Sequence, residues 1–279
     1  MNYKIVISLL LAASLILQPL LQVAQAEEGT SSPDTIRVFV GGFFAQLDTD
    51  TKVTSSGLGG RKISLEDDLG LDDDDTVFFA GLRWRISKRH SVGITQLVLD
   101  RDSDQTVTRE LAIGDKVFPI NTMTETLFDY RTTHFDYRYS FYASDRLNVG
   151  LLLGISDIDF EFEVVGNVVG PGGGVITESV VEEEDYPVPS IGMGIRYVLN
   201  ENWYLRAGAT YLQYDDDDWE ASLLIAGMGV EWFPWRNFGF GLGYDLVKIE
   251  YDEDKEPGED EWDVDFGYQG IRLSVIGRF

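Results

Sequence analysis

The sequence predicts an all-β protein: a transmembrane antiparallel up-and-down β-barrel of about ten strands, with eight or twelve as alternatives. Three observations carry this. After residue 26, apolar and polar residues alternate with period two in ten segments, and no helical stripe competes. The connections between segments alternate between tight turns and long acidic loops, as an up-and-down barrel requires. Aromatic residues gather beside the tight turns, where amphipathic rings favour a membrane interface.

Residues 1–26 stand apart. Lys4 gives the start a positive charge, residues 5–17 are apolar except for Ser8 and Ser14, and Gln18-Pro19 breaks the run. Ala24-Gln25-Ala26 supplies the small-x-small pattern that a signal peptidase accepts, and Glu27 opens a polar stretch. This pattern is that of a cleaved secretory signal; a retained anchor would need a longer run, of about 20 apolar residues. Residues 27–279 then form one barrel domain. They contain no run long enough to cross a bilayer as a helix, so a membrane role must come from strands.

The ten segments are 35–47, 76–87, 90–100, 122–142, 147–162, 186–199, 202–214, 220–233, 238–251 and 262–279. Tight turns fall at 87–89, 143–146, 200–201 and 234–237. The loops at 48–75, 101–121, 164–185 and 251–261 are long and acidic, and 215–219 is a short acidic one. Within segments the faces differ. Phe135, Tyr137, Tyr139 and Phe141 share one parity and His134, Asp136, Arg138 and Ser140 the other. Likewise Phe238, Phe240, Leu242 and Tyr244 oppose Gly239, Gly241, Gly243 and Asp245. The first segment has no clear parity, because Phe39 and Phe43 share a face with Arg37.

Alternation alone does not orient the apolar face, since a soluble lipocalin-like barrel has the same period with its apolar residues inside. The polar face mixes small residues with charges that could pair in a lumen: Arg83, Arg85, His134, Asp136, Arg138, Arg196, Arg206, Glu231, Asp245 and Arg272. Trp84, Tyr142, Trp203, Trp232, Phe233, Trp235 and Phe238 would form the girdle at the tight-turn boundary.

The chain ends Gly270-Ile271-Arg272-Leu273-Ser274-Val275-Ile276-Gly277-Arg278-Phe279. That ending resembles the carboxy-terminal signal of Gram-negative outer-membrane β-barrel proteins, in which an alternating last strand closes on a terminal aromatic. The resemblance implies residence in the cell outer membrane, contact with its lipids, and recognition of Phe279 by the barrel-assembly machinery. Residues 63–71, Ile-Ser-Leu-Glu-Asp-Asp-Leu-Gly-Leu, resemble a segment found in members of the same superfamily. Such barrels include porins, enzymes, adhesins and anchors, so fold does not fix activity.

Composition excludes several classes. The absence of cysteine removes disulfide scaffolds and Cys-ligated metals, and 48 acidic against 22 basic residues, a formal charge of −26, argues against a nucleic-acid partner. The acidic runs suit either divalent cations at the outer leaflet or plain solvation. Asp100, Asp102 and Asp104 mimic an EF-hand start, but Gln105 and Leu111 replace its Gly and Glu. Gly170-Pro171-Gly172-Gly173-Gly174 lacks a following basic residue or helix for phosphate. No cofactor or metal is expected.

Two histidines are the natural catalytic candidates. His90 and Ser91 lie at the periplasmic boundary and, being adjacent, face opposite ways. His134 and Asp136 share the polar face, but near mid-membrane depth; outer-membrane proteases of the omptin type, also ten-stranded, place a His–Asp couple at the external rim. His134 therefore reads as a buried residue hydrogen-bonded to Asp136 or a lumen arginine. Surplus lumen arginine suits either an anion-favouring pore or an ion-pair network filling the barrel, and barrels of this size are narrow. The expectation is a non-enzymatic outer-membrane barrel, either a narrow pore for small solutes or a surface protein. The alternative is an enzyme acting on external lipid or peptide.

Overall fold

The computed structural model describes residues 35–54, 62–113, 116–169, 175–216, 219–253 and 261–279. The signal-like residues 1–26 and the glycine-rich tip at 170–174 lie outside them. The strands are β1 (Ile36–Thr54), β2 (Ile63–Ser64), β3 (Asp74–Arg85), β4 (His90–Thr106), β5 (Leu111–Ile113), β6 (Lys116–Phe118), β7 (Met123–Ala143), β8 (Leu147–Val169), β9 (Val175–Val198), β10 (Trp203–Asp216), β11 (Trp219–Trp232), β12 (Phe238–Glu253) and β13 (Glu261–Arg278). Ten long strands pair with their chain neighbours, and β13 returns antiparallel to β1 from Arg37↔Arg278 to Thr54↔Glu261, closing the barrel. Closure matters because an open sheet edge in hydrocarbon would leave backbone groups without partners.

Near the tight turns the wall is apolar outside. Val38, Val40, Leu82, Phe135, Leu151, Leu153, Met193, Leu242, Leu273 and Val275 are all exposed. The alternating positions between them face inward and carry charge or glycine, as Arg37, Asp136, Arg206 and Glu231 do. Trp84, Tyr142, Trp203, Trp232, Trp235 and Phe238 are exposed at this end; Trp203 and Trp232, cross-strand partners, stack with centroids 5.8 Å apart. Phe233 is the exception, only 1% exposed and folded under the barrel end. Neighbouring strand residues point to opposite faces, so Trp232 and Phe233 cannot both join the girdle.

Farther up, the wall inverts. The outward positions become Asp48, Asp100, Arg131, Asp157, Asp159, Glu161, Lys248 and Gln269, while Leu47, Leu99, Phe128, Tyr130, Ile158, Val247 and Tyr268 are buried inside. Period two continues without interruption through the change, and only the assignment of faces switches. Arg37 and Phe43 share a parity for this reason: one lies below the inversion and the other above it.

The long-loop ends differ from the expected loops. Strand β1 runs on to Thr54, and the supposed acidic loop from 164 to 185 is mostly a β8–β9 hairpin, paired from Leu147↔Tyr197 to Val169↔Val175. Asp100, Asp102 and Asp104 lie on β4 and form an exposed outward stripe. Strand β9 leaves β10 at Ile191↔Tyr211 and continues with β8 alone. Pro187 and Pro189 fall on that stretch, where a missing N–H suits an edge. A register shift between Tyr139 and Tyr142 inserts one extra residue into β7. That bulge turns both Phe141 and Tyr142 outward, where strict alternation would send Tyr142 into the lumen.

The inversion predicts a difference in cost along one face. Leu242→Arg, on the lipid-facing band, should lower unfolding free energy in vesicles by ~2–4 kcal/mol, as for arginine near a bilayer midplane. Gln269→Arg, outward but above the inversion, should change it by less than about 0.5 kcal/mol. Equal costs in urea titrations would contradict the placement.

Candidate functional site

The bore is the candidate site, and its contents follow from which side chains each strand turns inward. At the tight-turn end Arg278 lies over the Phe233 ring at 3.9 Å and donates through Nη1 to Tyr204 Oη at 3.0 Å. Arg196 lies 4.6 Å from the Tyr204 ring. Above them Arg37 Nη2 donates to Glu231 Oε1 at 2.8 Å, joining β1 to β11 across two intervening strands. Arg206 Nε is 2.7 Å from the same oxygen as an ion pair, although its N–H is not directed at the carboxylate. Arg83 Nη2 donates to both oxygens of Asp136, at 2.9 and 3.0 Å. Arg138 Nη2 donates to Asn148 Oδ1 at 3.0 Å and the Gly194 carbonyl at 2.8 Å, and Arg272 Nε donates to Asp245 Oδ2 at 2.5 Å. Arg85 lines the mouth below this layer.

The inward glycines make this network possible. In a narrow barrel a long charged side chain can lie against the wall only where its neighbour lacks a Cβ. A Cβ at Gly227 would overlap Asp245 Oδ1, and one at Gly93 would overlap Asp136 Oδ1. At Gly150 and Gly194 a Cβ would approach Arg138 to 3.0 and 3.1 Å.

His134 Nδ1 meets Ser156 Oγ at 2.8 Å, not Asp136 or an arginine. Residues two apart on one strand lie nearly 7 Å apart, whereas directly opposed residues are closer, and His134 is paired with Ser156. His90 Nδ1 lies 2.5 Å from Tyr137 Oη on the outer face, and Ser91 pairs with Arg138 on the inner one.

Above the charged layer the bore is closed by rings. Tyr130 and Phe128 of β7 meet Phe266 of β13 at centroid distances of 5.2 and 5.7 Å, and Tyr130 reaches Tyr268 at 6.4 Å. Strands β7 and β13 are separated by three others on the shorter way round, so these contacts span the lumen. Phe43 packs edge-on to Tyr268 at 5.4 Å. Over the rings sits a second apolar layer from the loops: Ile63, Leu65, Leu69, Leu71, Leu111, Ile113 and Phe118 are all at most 3% exposed. Hairpin β5–β6 touches β1 on one side and β8 on the other, bridging the opening.

Residues 62–73 fill the notch left where β3 ends short of β1. Strand β2 pairs with Asp50 and Thr51, and Leu65 N donates to the Thr49 carbonyl at 2.9 Å. Arg101 clamps the segment, donating to Glu66 Oε1 at 2.8 Å, to the Asp72 carbonyl at 2.6 Å and to Thr49 Oγ1 at 3.2 Å. Arg109 Nε donates to Asp68 Oδ1 at 2.6 Å. Gly70 takes φ +74°, a left-handed conformation that glycine adopts without strain. Burial raises the affinity of the Asp68 carboxylate for a proton, but the Arg109 guanidinium and the Ser64 N–H outweigh it and hold its pKa below the ordinary value. Among the described residues, no three His, Asp or Glu converge as a metal set. The acidic runs near 217 and 254–260 lie outside the described residues.

Comparison with known proteins fits this geometry. The outer membrane protein beta-barrel domain family matches residues 14–227. The chain belongs to that family. Its place is the cell outer membrane; barrels of this class set their short turns on the periplasmic side and their longer loops outside. Among solved structures this outer-membrane barrel is similar to the outer membrane protease OmpT from Escherichia coli, at 12% identity and TM-score 0.57, over 91% of this chain and 99% of that one. The Pseudomonas putida toluene transporter TodX, at 10% identity and TM-score 0.37 over 89% and 91%, is a far looser match. So is AlkL, at 11% identity and TM-score 0.38 over 91% and 96%. No curated protein matches.

Sequence reasoning missed Arg37 and Arg278 in the lumen and Arg101 and Arg109 in the cap. Parity with Arg272 would have found Arg278; no local pattern marks the two cap arginines.

Two measurements test the barrel's contents. Glu231→Gln removes the carboxylate that Arg37 and Arg206 share and should cost ~3–5 kcal/mol in urea unfolding, as for a broken buried pair. The Asp68 contribution is present above the ordinary Asp value of 3.8 and is lost as pH falls below it, because the folded-state pKa is depressed. Hydrogen-exchange protection of residues 62–73, measured relative to the intrinsic rate at each pH, should therefore fall on acidification through that range, and Asp68→Asn should show the lower protection already at neutral pH.

Proposed function

We propose that this outer-membrane barrel is a closed, non-enzymatic surface protein: a plugged wall element presenting acidic extracellular strands, rather than a pore. The observation that carries the reading is the meeting of Tyr130 and Phe128 with Phe266 across the lumen. Buried rings packed at that spacing across the lumen speak against a continuous aqueous thread through the bore. The cap over them repeats the seal, and the ion pairs beneath tie the walls together. Of the two readings that surplus lumen arginine allows, the structure-filling network is thus the better supported.

An enzyme like the protease whose fold it shares would need reactive groups converging where an external substrate reaches them. His134 instead lies on β7 four residues below Tyr130, against Ser156.

Planar-bilayer recording tests the reading directly. The refolded barrel should give no discrete conductance steps, while Tyr130→Ala combined with Phe266→Ala should give brief ones. Regular steps from the unaltered protein, shifting selectivity in Arg138→Glu, would overturn it in favour of a pore. Hydrolysis of a lipid or peptide that disappears in His134→Ala would overturn it in favour of an enzyme.

A further inference from the structure

We infer that the upper edge of strand β9 is a docking site for an extended basic peptide segment, which joins the sheet as an added strand. The observation behind it is the place where the wall stops being continuous. Strands β9 and β10 pair from Tyr204↔Val198 only as far as Ile191↔Tyr211, whereas β9 runs on against β8 to Val169↔Val175. Among the described residues, the stretch Glu178–Tyr186 pairs with β8 and with no other strand. Strand β10 ends at Asp216, soon after its last pair with β9, so it is too short to cover this edge.

The edge is a firm template. Strand β8 is held on its other side by β7 up to Thr124↔Gly166, and β7 by β4 up to Thr106↔Met123, so β9 borders a sheet several strands wide. A strand in that position presents a row of backbone N–H and C=O groups that an extended segment can complete. Pro187 and Pro189, both exposed, lie between this stretch and the part of β9 that pairs with β10. They lack the N–H that a continued ladder would use, which keeps the seam open at its base. No proline interrupts Glu178–Tyr186.

Charge selects the occupant. Glu178, Glu182, Glu183, Glu184 and Asp185 fall within the stretch, and no Lys or Arg does. The register sets Asp159 opposite Asp185 and Glu161 opposite Glu183, and Asp157, Asp159 and Glu161 are exposed on β8. Like charges directly opposite destabilise a sheet, and opposite charges there stabilise it. A second copy of this chain, pairing through the same edge, would set acids against acids, and each copy carries a formal charge of −26. A segment with Lys or Arg at alternate positions keeps its cations on one face, against this acidic border. The inference deepens the reading of the barrel as a surface protein and rests on that reading for the edge standing outside the cell. The two fail separately, because conductance steps would sink the closed barrel without touching the edge.

The experiment uses the full barrel refolded in uncharged detergent, with folding checked by heat-dependent gel migration. The probe is a fluorescent peptide of alternating Lys and Thr, as long as the stretch it covers. Physiological ionic strength screens charges farther apart than about 8 Å. Anisotropy should show saturable binding, and hydrogen-exchange protection should rise over residues 178–186 but not over 123–131. The same peptide with every amide N-methylated keeps its charge, cannot form a ladder and should not bind. Glu183→Lys with Asp185→Lys should weaken binding about tenfold, and Glu183→Gln with Asp185→Asn should weaken it less. Asp100→Asn with Asp102→Asn, on β4 and separated from β9 by β7 and β8, should leave it unchanged. Absence of saturable binding, equal binding of the N-methylated peptide, or undiminished affinity in both β9 variants would overturn the inference. Self-association that protects residues 178–186 without peptide would also overturn it, by giving the edge to a second copy.

Discussion

Every residue in a single-layer wall faces two surroundings at once, and the structure depends on matching both along its whole height. In the bilayer the outside is hydrocarbon and the inside can be polar. Above the bilayer the outside is water, and the inside must then supply the apolar core that a soluble barrel needs. Several strands are far longer than the ~9–11 residues required to cross, β1 having 19 residues, β7 21 and β8 23, so one strand must satisfy both regimes. It does so by exchanging the chemistry of its two faces: Phe44 and Phe43 straddle the change on β1, and Ile155 and Ile158 on β8. No kink is needed, because alternation with period two is indifferent to which face is which.

The same indifference explains what was legible in the sequence. Strand number, the turn positions and the inward placement of Asp136, Arg138, Arg206, Glu231 and Arg272 follow from parity and from the charges themselves. The extracellular half does not, because apolar-polar alternation reads identically when it is turned inside out. The mixed parity of Arg37, Phe39 and Phe43 was the visible trace of the inversion, and on its own it looked like a poorly defined first strand. Tyr142, which strict alternation would turn inward, lies outside because of the bulge. The cap was illegible for another reason. Residues 66–68 and 72–75 are dominated by acids and resemble a solvated loop, while Leu65, Leu69 and Leu71 are buried by contacts with strands distant in sequence.

Closing the bore then takes two chemistries in series. Where the wall is polar inside, arginine and carboxylate reach across or along it, with glycines opposite to admit them. The desolvation cost of such pairs is high, and their net contribution to stability is modest. What they add is position, since each joins particular strands. Where the wall is apolar inside, rings and leucines form one buried cluster, and this layer carries most of the apolar burial. The cap belongs to it: the arginines at 101 and 109 hold the outer segment in place, and the leucines supply the packing.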